Sequence, residues 1–142
     1  MHEQQPSQAE KMIKRMLPGL VGVAVFGMAH ASDWIDTGVF GTSTHGKYFL
    51  DRQSVRKQAD GTKTVWFRVD YPTPQNMRNH TFRFVKTEAR FNCSGHQIAV
   101  GPVVAYGETG NVVHQDMRFA PMEDPIPDSI GDELIKVVCA MP

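Results

Sequence analysis

From Trp34 to Met117, apolar and polar residues alternate with a period of two, and turn-forming residues interrupt the alternation again and again. That pattern predicts an antiparallel sheet. A first strand or strand pair is expected between Trp34 and Leu50, bent at Gly38, Gly41 and Gly46. After a tight turn at Ala59-Asp60-Gly61, the run Lys63 to Tyr71 places Val65, Phe67, Val69 and Tyr71 on one face and Trp66, Arg68 and Asp70 on the other. Pro72, Pro74, Asn76 and Asn79 then predict a loop, because proline lacks a ladder donor and is excluded from central strands. Alternation resumes with Val85, Thr87, Ala89, Phe91 and Cys93 facing inward and Lys86, Glu88, Arg90 and Asn92 facing water. Gln97 to Tyr106 is apolar on both faces and contains Pro102, which predicts a bulge or an edge. Gly107 to Gly110 turns the chain, and Val112 to Phe119 returns it.

The pattern changes after Pro121, where Pro125 and Pro127 lead into a helix start. Ser129-Ile130-Gly131-Asp132 fits a capping box, and Ile130, Leu134, Val137 and Val138 then share one side while Asp132, Glu133 and Lys136 face water. The expected fold class is α+β: an antiparallel β-sheet of about five or six strands with a C-terminal α-helix packed on it.

The N-terminus alters what counts as the folded chain. Lys11, Lys14 and Arg15 precede an uncharged stretch from Met16 to Ala31, and Ala29-His30-Ala31 supplies small residues where signal peptidase reads them. Residues 1–31 are therefore expected to be a signal peptide cleaved after Ala31, with Met1, Met12 and Met16 as alternative starts, and residues 32–142 a single exported domain. The apolar core, Leu17 to Met28, is shorter than the roughly 20 residues that cross a bilayer, so no membrane anchor is expected after cleavage. No cysteine follows that core to carry a lipid. Without the leader the chain holds 12 basic and 13 acidic residues, a balance that gives nucleic acid no general attraction. Export and an even cysteine count predict one disulfide, Cys93 to Cys139, tying the helix end to a strand end.

Candidate chemistry is sparse. His45, His80, His96 and His114 are isolated and lack metal-binding spacing. Ser94-Gly95-His96 lacks the glycine framing of a nucleophile elbow and reads as a turn. Glu123, Asp124 and Asp128 sit in a proline-rich segment and read as a solvated surface. No catalytic, cofactor-binding or metal residue is assigned, no cofactor is expected, and the chain does not read as an enzyme. The distributed feature is charge: Lys47 to Arg90 holds ten basic and four acidic residues, whereas Glu108 to Lys136 holds two basic and seven acidic. If neighbouring strands bring Trp66 and Arg68 beside Lys86 and Arg90, they make an aromatic and cationic platform for a protein or an acidic glycan. The alternative is that the basic and acidic halves pack together and neutralise each other.

Taken in order, Tyr48-Phe49-Leu50-Asp51 with Ser54-Val55, Thr64-Val65-Trp66 with Asp70-Tyr71, Lys86 leading to Cys93, Gly110-Asn111-Val112-Val113, and Pro127-Asp128-Ser129-Ile130-Gly131-Asp132-Glu133 ending in Val138-Cys139 resemble the surface-adhesin protein E family. The resemblance spans about Trp34 to Cys139. It implies an antiparallel sheet joined to a C-terminal helix by a disulfide, in a Gram-negative envelope protein, with adhesion to host matrix proteins. The expected function is thus a non-enzymatic exported envelope binding protein, adhesin-like, recognising its ligand through the sheet face. The alternative is a periplasmic inhibitor or accessory factor that acts on an envelope enzyme through the loop Pro72 to Thr81. The periplasm is the expected location, with the cell surface and the medium as alternatives.

Overall fold

The computed structural model describes residues 31–142, so the leader expected over residues 1–31 lies, but for Ala31, outside the described residues. Seven strands and one helix follow: β1 (Trp34–Phe40), β2 (Lys47–Asp51), β3 (Arg56–Lys57), β4 (Lys63–Met77), β5 (His80–Asn92), β6 (Gln97–Tyr106), β7 (Val112–Asp116) and α1 (Ile130–Cys139). They form one antiparallel sheet in the order β1-β2-β4-β5-β6-β7, with β3 pairing β4 off that path. The count reaches seven because β3 is a separate two-residue strand, set off from β2 by a 3₁₀ turn at Arg52–Ser54. Asp51 accepts the Gln53 amide there, which starts that turn.

The prolines expected in a loop lie instead within β4. Asp70 is the last residue of β4 paired to β2, and the register against β5 slips between Asp70 and Gln75. Pro72 and Pro74 fall inside that slip, where no ladder amide is demanded of them. The reversal is confined to Arg78 and Asn79, with φ of 47° and 66°, the left-handed pair that a two-residue hairpin needs. In β6 the bulge predicted at Pro102 is present, since Thr87 pairs with Val103 and Ala89 with Val100, leaving Gly101 and Pro102 opposite Glu88. The strand is not an edge. The return strand is shorter than expected: β7 ends at Asp116, and the chain then runs beside the first half of β6, where Ile98 exchanges both backbone bonds with Glu123.

One face of the sheet carries the core. Leu50, Val65, Phe67, Ala89 and Phe91 meet Leu134, Ile135 and Val138 of α1, all nearly inaccessible to solvent. A ten-residue helix is too short to hold itself together in water, so its stability comes from this contact and from its ends. The Cys93–Cys139 bridge clamps the C-terminal end with 5.6 Å between Cα atoms. Lys63 Nζ donates to the carbonyls of Val138 and Met141, capping the last turn with a cation. At the other end Ser129 Oγ accepts the Asp132 amide at 3.4 Å. The acidic half of the expected box is shifted by one residue, because the Asp132 carboxylate accepts from the Asp128 amide and not from Ser129. Asp132 was expected to face water and is instead buried, its charge taken up by His96 and Lys136.

Candidate binding face

The opposite face of the sheet is uncovered by the helix, and the register of β4 against β5 decides what it presents. Arg68 lies directly opposite Lys86, Trp66 opposite Glu88 and Thr64 opposite Arg90. From the flanking strands, Phe49 stands beside Arg68, Val104 beside Lys86, and Tyr106 beside Phe84. Ser54 Oγ accepts the backbone amide of Trp66 at 2.8 Å, replacing the ladder partner that β2 loses at its 3₁₀ turn. The result is a belt of half-buried aromatic residues, Trp34, Phe49, Trp66, Phe84 and Tyr106, with two cations set among them.

The two cations differ in how they are held. The Arg68 guanidinium sits 4.3 Å above the Phe84 ring while its Nε donates to Asp70. Phe84 in turn stacks on Tyr106, with centroids 4.7 Å apart and planes 7° from parallel. Lys86 Nζ lies 5.6 Å from the Trp34 ring centre and 5.4 Å from that of Tyr106. Among the described residues Lys86 has no carboxylate within salt-bridge reach. Its ammonium is positioned by ring faces and remains available to an anion. At one end of the belt a depression of about 440 Å³ is lined by Arg68, Arg83 and Phe84 together with Asp70, Tyr71 and Glu108.

Arg90 points to the same side of the sheet but is set apart. Its guanidinium stacks 5.0 Å from the Phe119 ring, and its buried Nε has no hydrogen-bond partner among the described residues. Phe119 reaches this position by lying on Gly101, where any Cβ would overlap the ring. The segment after β7 therefore covers Arg90, while Arg68 and Lys86 stay open.

Among the described ion pairs, His96 with Asp132 joins two distant elements. Arg52 pairs with Asp33, Arg68 with Asp70, Arg118 with Asp116, and Lys136 with Asp132 and Glu133. None joins the basic stretch Lys47 to Arg90 to the acidic stretch Glu108 to Lys136, so the two do not neutralise each other by pairing. The remaining polar clusters are engaged in structure. Ser94 Oγ donates to Asn92, whereas His96 Nε2 is 2.7 Å from Asp132, so serine and histidine serve different partners. Carboxylate oxygens of Asp128, Asp132 and Glu133 lie within 4.8 Å of one another, but Lys136 Nζ already sits 2.9 Å from both Asp132 and Glu133.

The sequence profile described as surface-adhesin protein E matches residues 34–140. The chain belongs to that family. In this family member the matched region takes in the whole sheet, α1 and the Cys93–Cys139 bridge. No curated protein matches the sequence. No helix among the described residues is long and apolar enough to cross a membrane.

Strand alternation selects Trp66, Arg68, Lys86 and Arg90 for this face, and the structure places all four on it. Alternation misses Trp34, Phe49, Phe84 and Tyr106, which join the face only through strand order. Phe84 was the hardest to find, because the slip after Asp70 resets the alternation between Phe82, which is buried, and Val85.

Proposed function

We propose that this family member is a non-enzymatic exported binding protein that holds a protein or an acidic glycan on the outer sheet face around Trp66, Arg68 and Lys86. Support for export is the leader expected over residues 1–31, and support for adhesion is the family to which residues 34–140 belong. The single observation that carries the reading is the direct opposition of Arg68 and Lys86 within an aromatic belt, with Lys86 in no ion pair among the described residues. The few residues that dominate binding energy at protein interfaces are enriched in Trp, Tyr and Arg, the types represented here by Trp66, Tyr106 and Arg68. Solid-phase binding to immobilised matrix proteins and acidic glycans tests it, comparing the wild type with a variant carrying alanine at Trp66, Arg68, Lys86 and Arg90. Equal binding by the two would exclude the face.

A second reading draws on the β4–β5 hairpin. From Pro72 to Thr81 it runs beyond the last residues paired to β2 and β6, ending in the tight Arg78-Asn79 turn. Such an arm suits an inhibitor or accessory factor that inserts a tip into an envelope enzyme. Recovery of one endogenous enzyme on the wild-type protein, lost when Pro72 to Thr81 is shortened, would favour this over the sheet face.

A further inference from the structure

The inner face of the sheet is longer than its cover. A ten-residue helix spans about 15 Å, whereas the fifteen residues of β4 extend over roughly 50 Å. The core accordingly divides into a cluster under α1 and a second, around Val69, Phe82, Val85 and Ala105, beyond its N-terminal end. Between them lies a cavity of about 270 Å³, walled by Val69, Val85, Val103, Ile130 and Leu134 among others. Val100, 46% exposed, marks the side on which it meets solvent.

The polar groups in that wall are three hydroxyls. Tyr48 and Tyr71 have no hydrogen-bond partner for their hydroxyls among the described residues, and Thr87 makes only a 3.5 Å bond to the Glu88 carbonyl. The wall contains no charged side chain. We propose that this cavity binds a small neutral molecule, an apolar body of roughly eight to ten non-hydrogen atoms carrying one hydrogen-bond acceptor such as a carbonyl oxygen.

The acceptor requirement follows from the phenols. Burial pushes both tyrosines above their ordinary range, and at Tyr71 the neighbouring Tyr48 adds to the cost of ionising, so both stay protonated donors. Neutrality follows from desolvation: a carboxylate brought into this wall would find no cation to offset the loss of water. Size follows from the volume, at about 30 Å³ per water-sized group. The outer face plays no part in this site, so the two can succeed or fail separately.

The test uses the purified protein from Ser32 to Pro142 with its disulfide formed, titrated with 2-nonanone and followed by methyl NMR. Saturable binding is expected at sub-millimolar concentration, with shifts concentrated on Val69, Val85, Val103, Ile130 and Leu134. Octanoate, of the same size but charged, should bind at least about tenfold more weakly. The Tyr48→Phe/Tyr71→Phe variant keeps the shape, and it should melt at an unchanged temperature while binding 2-nonanone about tenfold more weakly. Absence of saturable 2-nonanone binding, octanoate binding as tight as the ketone, or shifts centred on Trp66 would each overturn the proposal.

Discussion

Nε2 of His96 lies 2.7 Å from Oδ1 of Asp132, joining the turn after β5 to the first turn of α1 only a few residues from the Cys93–Cys139 bridge. Hydrogen bonds from Lys136 and then His96, with the Asp128 amide, hold the Asp132 carboxyl down at about 2, against 3.8 for a free carboxylate. Because the folded value lies below the unfolded one, the stabilisation is complete above about pH 4 and is lost as pH falls toward about 2. Asp132→Asn should therefore lower Tm near neutral pH and flatten the decline in Tm over that acid window. Thermal melts recorded from neutral pH to acid check this, and parallel wild-type and variant curves would count against it.

Replacing both cysteines by alanine reopens a loop of 46 residues. On the chain-entropy account the cost is about 4 kcal/mol, with 2–5 kcal/mol typical for small exported domains. Denaturant unfolding of C93A/C139A against the wild type measures it. The loss should appear first in α1, which the helix-specific far-ultraviolet signal would follow.

Gly101→Ala would place a methyl group into the Phe119 ring and lift the segment after β7 from β6. A cost of about 1–3 kcal/mol is expected. Phe119→Ala removes the obstacle, so adding Gly101→Ala to it should cost much less than in the wild type. A double-mutant cycle reads the difference as a coupling, and strict additivity would mean that Phe119 does not rest on Gly101.

The Arg78-Asn79 turn places two side chains in the left-handed region. Asn-Gly is the pair best suited to such a turn. R78N/N79G should stabilise the fold by about 0.5–1 kcal/mol, as measured by denaturant midpoint at unchanged slope.

How far these features could be read beforehand depended on range. Val65, Phe67 and Val69 against Trp66 and Arg68 were legible because strand alternation is a local property, and so was Ser129 as a helix cap. The bridge is what an even cysteine count and an expected export predict. Pro72 and Pro74 misled because the rule excluding proline from strands concerns ladder bonds, and a slip in register removes those bonds without ending the strand. His96 and Asp132 are 36 residues apart, and nothing near either one announces the contact. Helical spacing alone points Asp132 to water, because it cannot register a histidine arriving from another element. The binding face was half legible for the same reason: Arg68 and Lys86 could be placed on outer faces, but their company of aromatic rings depends on strand order and on a bulge.

The outer face around Arg68 and Lys86 is the proposed binding surface. The affinity of the purified protein from Ser32 to Pro142 for immobilised heparin and for immobilised matrix proteins measures this. Trp66→Ala/Arg68→Ala/Lys86→Ala is compared there with Arg56→Ala/Lys57→Ala, which removes as much charge from the exposed strand β3. Salt-sensitive wild-type binding to at least one of these surfaces is expected, weakened at least tenfold by the triple variant at unchanged Tm and largely retained by the β3 variant. Equal losses in both variants, or wild-type affinity in the triple variant, would contradict it.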